Sequence, residues 1–241
     1  MKATALHRFR RKLQANEPLY GLWVTLEAAA VSEIAVGLGF DWIVIDAAHG
    51  HLDWAEIHEH ISATARSETV ALVRLPGAYP ELINRALELG ADGVLVSEVE
   101  TADELRSIIK RSKAPVYAFG HYSANATRES DASVLIVPVI NLEQDELKLC
   151  EIIALDGVDF VFLDLKTSNA PSLADVRARQ DEMVAKMRDH GRHAGIIAEN
   201  DEALKVYEER KFRVLGLGPD TEIIRKGIQS TLEAAGRSNQ P

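Results

Sequence analysis

The sequence predicts an α/β protein, a single (β/α)8 barrel, and three observations carry that prediction. Short apolar runs recur eight times along 241 residues, so one repeat takes about 30 residues, the length of a strand with its helix. The runs are continuously apolar instead of alternating, as parallel strands covered on both faces require. Amphipathic stretches with capping residues separate them. An open doubly wound sheet competes, because periodicity alone does not show closure, but eight units in a chain of this length favour the barrel.

Residues 1–16 read as an N-terminal helix, with Leu6, Phe9 and Leu13 on one stripe and a basic face of His7, Arg8, Arg10, Arg11 and Lys12 left to solvent. Strands are expected over residues 21–25, 42–46, 70–75, 93–97, 134–140, 160–165, 193–198 and 214–218. Between them, Asp53 with Glu56, Thr101 with Glu104 and Ser172 with Asp175 have the spacing by which side-chain oxygens satisfy orphaned helix N–H groups. Gly90 marks a left-handed helix stop. Residues 115–130 break up into Gly, Ser, Asn and Thr and are expected as a long loop at the barrel mouth. Residues 236–241 are expected as a flexible tail, and no linker divides the chain, so 1–241 is expected to be one domain.

Composition excludes several function classes. With 27 basic against 37 acidic side chains the net charge is −10, which lacks the basic footprint of a nucleic-acid binder. No apolar run approaches the roughly 20 residues of a membrane span, and no secretory hydrophobic core opens the chain. A cytoplasmic protein without membrane partners is therefore expected. The single cysteine, Cys150, allows no disulfide within the chain and reads as a small buried hydrophobe.

Catalytic groups of a parallel barrel stand where its strands end. Asp46 and His49 follow strand 2, Arg74 ends strand 3, Asn141 follows strand 5, and Asp164, Lys166 and Thr167 close strand 6. A carboxylate near an imidazole fixes its tautomer and raises its basicity, so Asp46 and His49 make a dyad with His49 as general base. Arg74 has the fork geometry to hold a carboxylate or an enolate oxygen; the alternative is a buried Asp46–Arg74 pair that ties two strands together. His58 and His60 stand two apart on a helix and do not chelate jointly, and His51 reads as a rim residue. Gly216 and Gly218, just before a helix, would let backbone N–H groups meet an anion. Dinucleotide, P-loop and nucleophile-elbow motifs are absent.

Together the segments Gly21-Leu22-Trp23, Gly39-Phe40-Asp41-Trp42-Ile43-Val44-Ile45-Asp46, His49-Gly50, Val73-Arg74, Gly90-Ala91-Asp92-Gly93, Gly157-Val158-Asp159 and Gly216-Leu217-Gly218 resemble the metal-dependent pyruvate aldolases of the HpcH/HpaI type. The resemblance implies a barrel assembled as a homo-hexamer with exchanged C-terminal helices. It also implies a small carboxylate substrate and a bond made or broken at the methyl carbon of pyruvate. A divalent cation (Mg, Mn or Co) then polarises the keto acid. Asp46 and His49 would handle protons, Arg74 would contact the pyruvate oxygen, and Trp23 would line the pocket.

The chain departs from the family pattern at the metal. Ala48 stands where the family has Glu before the histidine, and Asn141 and Thr167 align with its metal-binding Glu and Asp. The loop near residues 118–120 is shortened. A hard cation wants charged oxygens, so the cofactor site is altered or absent unless Asp164 or Asp46 moves in, with Asp164 the expected replacement ligand, and Asn141, Thr167 and Lys166 become substrate contacts. Three readings follow: a metal site rebuilt on Asp164; a metal-independent reaction, with Lys166 either forming a Schiff base or merely pairing with Asp164; or a binding and assembly barrel. The retained trio of Asp46, His49 and Arg74 favours an aldolase-like carbon–carbon lyase acting on a small 2-oxo acid.

Overall fold

The structure, a computed structural model, describes residues 2–49, 51–112, 134–164 and 172–237. The chain runs α1 (Lys2–Gln14), β1 (Leu19–Val24), α2 (Ala30–Gly37), β2 (Trp42–Asp46), α3 (Trp54–Thr64), β3 (Val70–Leu75), α4 (Pro80–Glu88), β4 (Gly93–Val96) and α5 (Ala102–Ser112). It continues β5 (Leu135–Asn141), α6 (Glu146–Ile153), β6 (Phe160–Asp164), α7 (Leu173–Asp189), β7 (His193–Ile197), α8 (Asp201–Glu209), β8 (Val214–Pro219) and α9 (Asp220–Ala234). The eight strands close into one parallel barrel in chain order, as the sequence predicts. β1 begins two residues earlier than expected because Leu19 and Tyr20 pair with Val214 and Leu215 of β8. The expected mouth loop at 115–130 and most of the expected tail lie outside the described residues.

Strand alternation splits the apolar residues into two cores. Leu19, Trp23, Trp42, Val44, Val70, Leu72, Leu95, Leu135, Val137, Phe160, Phe162 and Val214 fill the barrel interior. Their neighbours Ile43, Ile45, Ala71, Val73, Val94, Ile136, Val161 and Ile196 pack outward beneath the helices. Both faces are covered, which is why the strands read as unbroken apolar runs. Space inside is limited: a Cβ on Gly21 would lie 2.0 Å from the Trp42 ring.

α1 closes the barrel floor. Ala5, Leu6, Phe9 and Leu13 are buried in the interior core, with Phe9 tilted against Phe160 at 5.8 Å. Each of the larger three contributes about 2 kcal/mol by leaving water. The basic face differs from expectation. Arg10 forks onto Asp159 at 2.9 and 3.0 Å, Lys12 pairs with Asp41 at 2.5 Å, and Arg8 pairs with Glu68. These acids stand just before β6, β2 and β3, so the charges latch the helix over the strand starts as well as meeting solvent. Cys150 is half-buried instead of buried.

The caps follow the spacing read from sequence. Asp53 and Glu56 form the reciprocal capping box, and Ser172 accepts from Asp175 N–H. Thr101 accepts from Glu104 N–H, but Glu104 reaches back to Glu100 N–H instead. Gly90 has φ +98°. Several helices keep apolar side chains in solvent: Ile34 and Leu38 at α2, Leu147 on α6, Val206 on α8, and Ile223, Ile224, Ile228 and Leu232 on α9. No helix among the described residues is long and apolar enough to cross a membrane.

Candidate active site

The same alternation decides which polar side chains meet at the strand ends. Counting by twos from the interior residues of each strand leads to Trp23 on β1, Asp46 on β2, Arg74 on β3, Ser97 just past β4, Asn141 on β5 and Asp164 on β6. Parallel register sets Asp46 beside Arg74 and Asn141 beside Asp164.

Arg74 is the centre of the first arc. Its Nη1 donates to Asp46 Oδ2 at 3.0 Å and approaches His49 Nδ1 at 2.8 Å, while its Nε donates to Ser97 Oγ at 3.0 Å. The guanidinium carbon lies 5.4 Å from the centre of the Trp23 ring, a cation–π contact. Trp23 Nε1 donates to Asp46 Oδ2 at 2.9 Å, and its ring rests on Phe162. Trp23 thus lies buried under the arginine as its support.

Asp46 is 3% exposed, and each oxygen has two donors. Oδ2 takes Trp23 and Arg74; Oδ1 takes the backbone N–H of Ala48 and of His49 at 3.0 and 2.9 Å. Burial pushes its pKa up, but the Trp23 indole, the Arg74 charge and the two amides outweigh that and hold it below the ordinary carboxylate value. Asp46 is therefore a fixed anion.

The expected dyad takes a different form. Asp46 holds the backbone of His49, and it is Arg74 that meets the ring. A guanidinium only donates, so Nδ1 accepts and the neutral ring carries its proton on Nε2. The His49 side chain is exposed. Ser97, which the sequence offered only as the last residue of an expected strand, is the added member; strand parity beside Arg74 was the signal that pointed to it.

The second arc bears on the cofactor. Asn141 Oδ1 accepts from Glu143 N–H at 2.8 Å, so this oxygen serves its own turn. Asp46 has no oxygen to spare. Among the described residues no group of three or more His, Cys, Asp or Glu could hold a metal ion. With Asp164 the remaining carboxylate, the described donors do not fit a hard divalent cation, which needs several charged oxygens. Lys166 and Thr167 lie outside the described residues, as do residues 118–120.

Two buried polar groups to which the sequence reading gave no role at the site shape the mouth near β1. Asp220, at the start of α9, accepts from Thr25 N–H, Thr25 Oγ1, Leu26 N–H and Thr221 N–H. Its donors come from Thr25, Leu26 and Thr221, and not from the backbone of Gly216 or Gly218, where the sequence led us to expect an anion. His60 is fully buried, with Nε2 at 3.0 Å from Leu26 O and Nδ1 at 2.8 Å from Ser32 Oγ. Burial lowers its pKa. His58 is exposed on another face of α3.

Comparison with known proteins matches this architecture. The sequence profile of the HpcH/HpaI aldolase/citrate lyase family covers residues 19–226. A hydroxypyruvate/pyruvate aldolase of Roseovarius nubinhibens is 29% identical, over 93% of this chain and 95% of its own. A 4-hydroxy-2-oxo-heptane-1,7-dioate aldolase of Shigella flexneri is 25% identical over 96% and 94%. The crystal structure of a family protein from Burkholderia cenocepacia J2315 superposes with TM-score 0.84 at 23% identity, covering 95% of this chain and 99% of that one. Barrel and family profile agree: the chain belongs to the HpcH/HpaI aldolase/citrate lyase family and is a carbon–carbon lyase of the aldolase type.

Proposed function

We propose that the protein makes or cleaves a carbon–carbon bond at the carbon next to the carbonyl of a small 2-oxo acid, through the enolate of pyruvate or a close analogue. One observation carries the reading: Arg74, anchored on the fixed anion Asp46 and laid over Trp23, touches the exposed ring of His49. Arg74 holds the keto oxygen as it gains enolate charge, a preorganised donor that needs no rearrangement during reaction. His49 is the general base. A substrate oxygen bound to Arg74 competes with Nδ1 for the guanidinium and so releases the Nδ1 lone pair beside the carbon or hydroxyl that must give up its proton. Asp46 works through Arg74 and the His49 backbone.

Asn141, Lys166 and Thr167 serve as substrate contacts, and Asp164 is the ligand on which a rebuilt metal site would rest. As a whole we read residues 1–241 as one cytoplasmic domain that assembles with copies of itself, a hexamer by resemblance, with the exposed stripe of α9 exchanged or packed between subunits.

The test is exchange of the pyruvate methyl protons with heavy water, followed by NMR. Wild-type protein should exchange them with and without chelator, and His49→Ala should lose about 100-fold or more of the rate with an unchanged melting temperature. Near-normal exchange in that variant removes His49 as the base. Chelator-sensitive exchange establishes the rebuilt metal site, and borohydride trapping with pyruvate establishes a Schiff base on Lys166. No exchange under any condition favours a different, non-aldol reaction on a small carboxylate or a binding role.

A further inference from the structure

We propose that Ser97 is a positioning residue, whose hydroxyl turns Arg74 so that the arginine addresses one substrate oxygen through a single nitrogen. This rests on the reading of Arg74 as the keto-oxygen contact and adds to it the reason for its selectivity.

The donor count of the guanidinium carries the argument. Arg74 has five N–H groups. Nε–H is spent on Ser97 Oγ, and the two Nη1 hydrogens are directed to Asp46 Oδ2 and His49 Nδ1. Nη2 has no hydrogen-bond partner among the described residues. A carboxylate prefers two parallel donors, from Nη1 with Nη2 or from Nε with Nη2. Both edges are compromised here, the first by Asp46 and His49 and the second by Ser97. What is left suits a lone oxygen, such as a ketone on its way to an enolate.

Ser97 is built to be rigid. It is 5% exposed, and its N–H donates to Leu75 O at 3.1 Å. That carbonyl belongs to the residue after Arg74, so hydroxyl and guanidinium are held in one register. The next residue, Glu98, adopts φ +55°, a left-handed conformation that costs a non-glycine residue energy and recurs at functional sites. Beyond it, Gln144 Nε2 donates to Val99 O at 2.9 Å, which ties the turn to the start of α6. Removing the hydroxyl frees Nε–H and restores a two-nitrogen edge on which the substrate carboxylate can sit unproductively.

The experiment compares wild type, Ser97→Ala and Ser97→Thr by two readouts. In protein labelled with 15N-arginine, the Arg74 Nε–H should be protected from solvent exchange, exchange about tenfold faster in Ser97→Ala, and recover in Ser97→Thr, which keeps the oxygen. In pyruvate proton exchange, Ser97→Ala should lower kcat about tenfold with KM unchanged or lower, because misaligned binding costs turnover more than affinity. Ser97→Thr should regain most of kcat.

An Nε–H whose exchange is the same in all three proteins overturns the contact. Lost protection with unaltered kcat and KM overturns the positioning role. Equal loss in Ala and Thr together with a lower melting temperature marks Ser97 as a packing residue only. A wild type that exchanges no pyruvate protons defeats the proposed function, and the labelled-arginine readout still decides whether Ser97 sets the guanidinium.

Discussion

At the scale of single residues, charge satisfaction governs the site. Asp46 and Arg74 are both largely removed from water, and a buried pair broken on one side leaves an uncompensated charge. Asp46→Asn should therefore destabilise the fold by about 3 kcal/mol and release Arg74, which urea unfolding and the pyruvate exchange assay would show together; a variant as stable as wild type would mean that water screens the pair. Burial first raises the Asp46 pKa, and the indole, guanidinium and amide donors then pull it below 3.8. Its folded pKa lies below the unfolded one, so its contribution is complete above about pH 4 and is lost as pH falls further. Asp46, His49 and Arg74 were legible because polar residues at the ends of apolar strands have few structural uses. The contacts between them were not. The backbone between Asp46 and His49 folds back onto the carboxylate, a local turn that sends the ring to Arg74, and the role of Ser97 appears only once β3 and β4 are set in register.

At the scale of elements, alternation and caps read well, and anything that joins distant segments does not. The α1 stripe was visible, whereas its ion pairs reach acids 29, 60 and 149 positions away that no local pattern connects to it. His60 is similar: its helix was expected, but its bonds to Ser32 and Leu26 depend on how α2 and α3 pack. His60 and His193 both have pKa values lowered from 6.5, His60 by burial and His193 by burial with Arg213 nearby. Unfolding lets them bind protons more readily, so stability is full above about pH 6.5 and declines as pH falls toward their folded values. The urea midpoint should drop between about pH 7.5 and 5.5, with a shallower decline in His60→Gln; a flat profile in the wild type would refute the assignment. In β1, Gly21→Ala should cost about 2 kcal/mol or more by overpacking, since its Cβ would lie 2.0 Å from the Trp42 ring, and a melting curve would register it.

At the scale of the whole molecule, α9 carries an apolar stripe that the barrel leaves uncovered. On α9, Ile224, Ile228 and Leu232 recur at four-residue spacing on one side of the helix, all exposed. Ile224→Glu with Ile228→Glu should shift the proposed oligomer toward monomer in analytical ultracentrifugation while the isolated barrel keeps its circular dichroism; an unchanged sedimentation coefficient would assign the assembly to another face. Barrel closure has a further consequence, for synthesis. Leu19 pairs with Val214, so the free edge of β1 must wait for nearly the whole chain to be translated, roughly 10–40 s at ordinary ribosome speeds. α1 waits as well, because its seat includes Val70 and Phe160. Although it is made before every strand, α1 is thus among the last elements to dock, and nascent chains arrested before β8 should stay sensitive to protease at α1. Until the final strand emerges, the growing polypeptide exposes both an open sheet edge and a greasy helix, which makes it a natural client for chaperones at the ribosomal exit.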